Sequence, residues 1–421
     1  MKLLFISHLY PNAVRPQQAL YNRQLIRAVG KRVEARVIAP CFRFPGQSLF
    51  GRRLPPSSET MDGIRVTHPR VLYSPRLLIH RHAFFYRCCV EAHFRQTIES
   101  FQPDHIMIGF AFPDGAALAP LCREFGAPWS IRVNGSDFRC RIRQAKFRGL
   151  VLNVLNDAPL IFCPGQALKR DMAAEGIEES KIITFNNGVN HEVFRCRDKA
   201  EAIAGLGETA RRIVTADGRR WTQMDNERKK VLFVGNLLEV KGPDRLLTAF
   251  ARLRHLYSLT PTRPHSHTSA SPHAHTPTLL LIGDGPMRRG LMRQARRLGI
   301  SGSVAFLGSR RHDEVARWMN VADCLCLPSR SEGMPNVVME ALASGAPVVA
   351  TSVGEVPLLV EDGRNGRVVG DGPEESVPER LAAALAGTLA AEWDRQAISE
   401  CMSAYTWEAA AEAILGGIGG K

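Results

Sequence analysis

Short apolar runs alternate with amphipathic stretches along most of the chain. Runs at Leu3–His8, Ala35–Ala39, His105–Gly109, Trp129–Val133, Leu160–Cys163 and Ile182–Phe185 predict strands in the first half. Val231–Val234, Leu279–Ile282, Val304–Leu307, Cys324–Leu327 and Pro347–Ala350 predict a second set. Between them, stretches such as Ala19–Val29 and Gly115–Glu124 carry helical spacing. Strands alternating with helices predict an α/β chain with two doubly wound, Rossmann-like parallel-sheet domains facing a cleft. Ligands are then expected at the carboxyl ends of the strands.

The boundaries follow from breaks in this pattern. Residues 1–195 form a first Rossmann-like domain, and the charged, weakly patterned stretch 196–229 reads as a linker or surface excursion. Residues 230–392 form the second domain, and 393–421 read as helices returning to the first. Inside the second domain, 258–278 (SLTPTRPHSHTSASPHAHTPT) holds hardly an apolar residue and is expected to be a disordered surface insertion. Its His265, His267, His273 and His275 also admit a metal reading. Such inserts are tolerated because loop closure costs only ~0.6 kcal/mol more per doubling of length.

The chain's 421 residues suit two or three domains, and 45% hydrophobic with 23% charged residues is a globular composition. No run of eighteen apolar residues occurs, which excludes a spanning helix. The opening MKLLFISHLYPNAV is apolar only over Leu3–Ile6 and lacks a small-residue cleavage site, so it reads as a first strand and not a signal peptide. Ten scattered cysteines without a CxxC pair argue against zinc and disulfide frameworks and for a reducing cytoplasm. The net charge of +14 is uneven: residues 1–200 hold 29 basic against 16 acidic residues, and residues 201–421 hold 26 against 25. The first half is therefore expected to meet something anionic, with nucleic acid, membrane phosphates and a pyrophosphate-bearing substrate as the open classes.

The chemistry concentrates in SRSEGMPNVVMEALASGAPVVAT, Ser329 to Thr351. Asp323–Ser329 is a buried-type strand, which places Glu332 and Gly333 on the loop at its carboxyl end. Pro335 suits a first helical turn, Asn336 to Ser344 reads as helix, and Gly345 closes it. The backbone N–H groups of Met334, Pro335's neighbour Asn336, and Val337 then offer an anion site backed by the helix dipole. Glu332 in the loop and Glu340 about one turn into the helix can accept hydrogen bonds from vicinal diols. A bare spacing of two glutamates is weak evidence, since solvated surface glutamates share it. The context strengthens it. VLFVGNLLEVKG (Val231 to Gly242) is a strand, a turn through Gly235 and Asn236, and Lys241 placed to reach the same diphosphate. GDGP, opening at Gly283, follows the next strand.

Taken together, VGNLLEVKG, LIGDGP, VAFLG, ADCLCLPSRSEGMPNVVMEALASGAPVVAT and VEDGRNGRVV resemble the retaining glycosyltransferases of family four, which have the two-domain GT-B fold. LYPNAVRPQQALYNRQLIRAV, PDGAALAPL, IRVNGSD and FNNGVNHEVF resemble the acceptor domain of that family, in the branch that builds bacterial surface polysaccharides, including teichuronic-acid-type enzymes. The resemblance implies a hexosyltransferase acting on a nucleotide diphosphate sugar, without cofactor or metal. It implies that Glu340 binds the nucleotide ribose, Glu332 contacts the transferred sugar and Lys241 neutralises the leaving diphosphate. Asn134, at a position associated with the sugar's hydroxymethyl group, and Asp137, Arg15 and Gln18 are implied substrate-binding residues of the first domain. The sequence departs from the family at Asn236, where arginine is common, at Asn134, where histidine is common, and at Arg15–Ala19, where glycines are usual. With Asn236 neutral, a cation from the first domain is expected to complete the site, Arg15 before Arg132.

A sugar-nucleotide epimerase of similar fold and an inactive sugar-nucleotide-binding homologue are the alternatives. No nucleic-acid motif accompanies the basic half, so nucleic acid is not an expected partner. Residues 74–101 mix Arg and His with Phe, Tyr and Leu, which suits an interfacial segment or a core helix equally. The expected partners are a nucleotide-sugar donor, a glycan or polyprenyl-diphosphate-linked acceptor, and the anionic inner leaflet, with a peripheral position on the cytoplasmic face.

Overall fold

The computed structural model describes residues 1–43, 53–72, 82–211, 228–259, 276–370 and 372–420. The histidines of the expected insertion, with the disorder expected of it, lie outside the described residues. The chain divides into two compact units, Met1–Gly188 with Tyr405–Lys421, and Val189–Ala404.

Among the described residues the first unit holds ten strands: β1 (Lys2–Ile6), β2 (Glu34–Ile38), β3 (Cys41–Arg43), β4 (Ser58–Met61), β5 (Ile64–Thr67), β6 (Arg70–Leu72), β7 (His105–Gly109), β8 (Trp129–Arg132), β9 (Ile161–Pro164) and β10 (Ile182–Phe185). Eight form one sheet in the order β10-β9-β8-β7-β1-β2-β5-β4, and β3 pairs with β6 beside it. All neighbours in the large sheet run parallel except the edge pair β4 and β5. β1, β7, β8 and β9 are almost wholly buried because helices cover both faces. One face packs the helix His82–Phe101 through Tyr86, Val90, Phe94 and Phe101. The other packs Leu20–Gly30 and the terminal helix Trp407–Gly419 around Phe5, Phe162 and Ile414.

The second unit holds β11 (Lys230–Val234), β12 (Thr278–Ile282), β13 (Val304–Gly308), β14 (Cys324–Leu327), β15 (Val348–Thr351) and β16 (Gly366–Val369). They form one parallel sheet in the order β13-β12-β11-β14-β15-β16. Among the helices on its faces are Pro243–Leu259 and Val377–Ala390, which share a core with Phe233, Phe250 and Leu381.

Both units reverse strand order once, between β1 and β7 in the first and between β11 and β14 in the second. At such a point the crossovers leave in opposite directions and a crevice opens at the carboxyl ends.

Two boundaries differ from the sequence reading. Residues expected as a linker from 196 begin with a helix, Lys199–Arg211, that belongs to the second unit. The helix Arg395–Glu400 also stays there, because Arg395 donates to the carbonyls of Ala322 at 2.9 Å and Asn320 at 3.1 Å. Only from Tyr405 does the chain rejoin the first unit. Of the segment 74–101, the described part is a helix that buries four residues in the core yet leaves Phe84 62% exposed.

The junction is close at Gly188, where an added Cβ would stand 2.2 Å from the Trp407 backbone nitrogen. Backbone cannot give way cheaply, so Gly188→Ala is expected to destabilise the first unit by about 1–3 kcal/mol. Urea denaturation with an unchanged midpoint would show that the terminal segment is not seated there.

Candidate functional site

In the second unit the strand-end loops are locked together before any side chain is considered. Gly283 lies at φ 134°, and a Cβ there would fall 1.9 Å from the carbonyl oxygen of Gly235. The loops after β11 and β12 therefore touch backbone to backbone, with Leu237 N–H donating to Asp284 O at 2.9 Å. Gly242, at φ 65°, turns the chain beneath the carbonyl of Pro328, where a Cβ would fall 2.0 Å away. Pro243 then opens the helix Pro243–Leu259 at a position where its missing N–H costs nothing.

This turn sets Lys241 against the loop after β14. Its ammonium donates to both oxygens of Glu332, at 2.7 and 2.8 Å, and Ser329 Oγ donates to the same carboxylate at 2.6 Å. Glu332 is 8% exposed, and these donors offset the cost of burying its carboxylate. Lys241 follows β11 and Glu332 follows β14, so the pair bridges the two strands that flank the order reversal. Arg330 braces the same loop, donating to Asp244 at 2.9 and 2.7 Å and to Glu239 O at 2.7 Å. Gly354, at φ 58°, lets the loop after β15 approach Gly333, whose carbonyl accepts from Glu355 N–H at 2.9 Å.

The helix Asn336–Ala343 starts after Pro335 with no side chain capping it, so its positive end is supplied by backbone alone. Gly333, Met334, Asn336 and Val337 are partly exposed around that end, and Pro335 is buried. Glu340 stands half-buried on this helix. Among the described residues no group donates a hydrogen bond to its carboxyl. Burial without a donor pushes that carboxyl up to about 8.

The structure thus joins Lys241 to Glu332 directly, and Gly235 to Gly283 through packing. Asn236 is exposed on the loop between them. The remaining expected residues belong to the first unit. Arg15 is exposed in a turn, its N–H donating to Asn12 O at 3.0 Å, and Gln18 N–H donates to Arg15 O at 3.2 Å. Asn134 follows β8, and Asp137 lies in the helix Ser136–Ile142. Arg132 is 1% exposed, donates to Asn22 Oδ1 and lies 5.5 Å from the rings of Tyr21 and Phe185, which makes it part of the core and not a cation free to meet a donor.

Sequence reading passed over Ser329, Arg330 and Gly354. Ser329 and Arg330 stand in the quoted motif; Ser329 meets Glu332 three residues on, whereas Arg330's partners Glu239 and Asp244 are distant in sequence. It also passed over His8 and Asp114 in the first unit.

A family model for Glycosyltransferase Family 4 matches residues 18–193, and one for Glycosyl transferases group 1 matches residues 228–390. D-inositol 3-phosphate glycosyltransferases of Mycobacterium tuberculosis and Mycobacterium bovis are 30% identical over 247 residues, 58% of this chain and 45% of theirs. The chain thus spans less than half the length of the curated relatives it matches. Among solved structures, a sucrose-phosphate synthase from Thermosynechococcus elongatus is similar with TM-score 0.74 and 19% identity, over 99% of this chain and 98% of that one. HepE from Anabaena, solved with UDP and glucose, is similar with TM-score 0.69 and 19% identity over both whole chains.

Glu340 supplies a test of the unliganded site. A carboxyl raised from 4.5 to about 8 on folding makes the folded state bind more protons between those values, so stability falls as pH rises through that window. Glu340→Gln is expected to remove that fall, gaining on the wild type as pH increases. Parallel urea midpoints across the window would contradict it.

Proposed function

The chain belongs to the family four glycosyltransferases and has their GT-B fold, and from that premise we propose that it is a retaining hexosyltransferase. It moves a hexose-type sugar from a nucleotide diphosphate sugar to a lipid-linked glycan acceptor in bacterial surface polysaccharide synthesis, without a metal. The observation that carries this reading is the Lys241–Glu332 pair at the order reversal of the second sheet, beside an uncapped helix N-terminus.

A diphosphate arriving there meets one ammonium and the positive end of a helix, both already in place. Preorganised positive charge matters most as the bond to the sugar breaks and the diphosphate gains charge. Glu332 holds Lys241 in position and orients it. Glu340 suits the ribose: two hydroxyl donors would supply the hydrogen bonds its carboxylate lacks and favour its charged form. Donor binding and loss of the Glu340 proton are then coupled. The retaining course and the acceptor class rest on the family resemblance.

Purified protein incubated with UDP-, GDP- and ADP-sugars is expected to hydrolyse one of them slowly, with undiminished rate in excess EDTA. Lys241→Ala should lower that rate by roughly 10²–10³-fold, the scale of losing one charge-stabilising donor. Failure across the whole panel would end the transferase reading, and activity lost to EDTA and restored by Mg²⁺ would end the metal-free one.

The basic first half and the exposed Phe84 and Phe85 support a peripheral membrane position. Among the described residues no helix is long and apolar enough to cross a membrane. Binding to anionic liposomes is expected to weaken as salt rises, because surface charges are screened over ~8 Å at physiological salt. Equal binding to neutral vesicles would contradict this.

A further inference from the structure

A cavity of about 240 Å³ opens on the first unit between its large sheet and the helix His82–Phe101. Arg36 of β2 and Arg65 of β5 line it from the sheet, and His93, Gln96 and Ser100 line it from the helix. Arg36 and Arg65 are register partners in a parallel pair, so their side chains leave the same face of neighbouring strands. That face is the one the helix covers, since Ile38 packs in one cluster with Tyr86 and Phe94. Neighbouring strands lie only ~4.8 Å apart, and like charges directly opposite one another are destabilising. A pair of arginines kept there for stability calls for a carboxylate between them. Among the described residues no carboxylate pairs with either, and Glu34, earlier on the same face of β2, is exposed.

The rest of the wall has the same bias. The Thr67 hydroxyl donates to the Val37 carbonyl at 3.3 Å and stands 2.8 Å from His93 Nε2. Its one proton is spent on Val37, so the histidine donates to Thr67 through Nε2. The Thr97 hydroxyl donates to the His93 carbonyl at 2.8 Å. With these groups engaged, Arg36, Arg65, Gln96 and Ser100 are the donors left for a ligand. Among the described residues no acidic side chain lines the cavity. The Arg36 guanidinium stands over the Phe101 ring, 4.3 Å from its centroid, which holds the cation in place without neutralising it. Burial first, and then the Arg65 charge, lower the pKa of His93 below its ordinary value, with no carboxylate acting against them.

Cationic forks and neutral donors select an anion, and the number of forks selects its class. One guanidinium satisfies both oxygens of a carboxylate. The three terminal oxygens of a phosphate monoester suit two forks arriving from neighbouring strands, and its charge of about −2 matches two arginines. The cavity is smaller than the ~300–1,000 Å³ of drug-sized ligand pockets, so it suits the ester of a small polyol or sugar better than a nucleotide. We propose that this cavity binds a phosphate monoester between Arg36 and Arg65, as an anion site additional to the donor site. Its residues all belong to the first unit, whereas Lys241 and the helix Asn336–Ala343 belong to the second. It lies on a face of the sheet, beneath a helix, and not in the crevice at the carboxyl ends of β1 and β7. A soluble ester and a lipid headgroup present the same chemistry to it.

Calorimetry on the full chain in phosphate-free buffer, with glycerol 3-phosphate as the soluble probe, tests the site. Arg36→Gln and Arg65→Gln are each expected to weaken binding by roughly 10–100-fold, the scale of losing charge-assisted hydrogen bonds. Arg65→Lys should fall between them and the wild type, since it keeps the charge and loses the fork. Without ligand, Arg65→Gln should keep its thermal midpoint, because it relieves a like-charge contact, and it should lose the rise that the probe gives the wild type. Vesicles of phosphatidylcholine with phosphatidic acid, a monoester headgroup, are compared at equal surface charge with vesicles carrying phosphatidylglycerol, a diester. A preference for phosphatidic acid that Arg65→Gln abolishes assigns the site to a lipid headgroup, and binding of the soluble probe alone assigns it to a free ester. Probe binding unchanged in both glutamine variants would overturn the proposal, as would no binding of the probe and no preference between the vesicles. Neither result depends on donor hydrolysis, so the transferase reading stands or falls separately.

Discussion

The contact between Lys241 and Glu332 is possible only because two parallel strands, distant in sequence, lie side by side with their crossovers leaving to opposite sides. That geometry opens a crevice at the carboxyl ends of β11 and β14. A charge pair seated there is held by backbone already packed around it, at Gly242 beneath Pro328 and Gly283 against Gly235. A carboxylate with so little exposure as Glu332 would be costly alone, and the ammonium and the Ser329 hydroxyl offset that cost. The rest of the second unit serves to keep these loops in register.

The same solution recurs in the first unit with different chemistry. Where the second unit bridges its reversal with an ion pair, the first bridges it with the imidazole of His8, after β1, and the carboxylate of Asp114, after β7. In both, one partner is nearly or fully buried and fixes the other, which keeps part of its surface open. Burial strengthens each contact because the local dielectric is low, and it discourages any arrangement that leaves the carboxylate unpaired. Glu340 is the exception: it carries the raised pKa of a carboxyl that lacks such a donor.

Much of the frame was legible along the chain. Ile182–Phe185 and Cys324–Leu327 agree with the structure residue for residue, and the central strands fall within one or two residues of their expected ends. The central strands are buried on both faces, so their apolar runs stand out from amphipathic helices. The short strands β3 to β6 did not stand out. Each has only three or four residues and several are half-exposed near a sheet edge, so no periodicity develops within them. Lys241, Glu332 and Glu340 were singled out by local motif, since strand, turn and helix signals around them are all local.

By itself the sequence determined the alternation of strands and helices, the two sheets and the loops on which the charged residues of the second unit stand, because each is set by interactions among near neighbours. Only the tertiary structure decided that Lys241 binds Glu332, that Arg132 is sealed against Asn22, and that His8 meets Asp114 across 106 positions. It also decided that the helix Arg395–Glu400 stays with the second unit while Trp407–Gly419 joins the first. Each of those contacts depends on which strands are neighbours and on where a crossover returns. That order is set by the joint packing of both sheet faces, and no local pattern of residues records it.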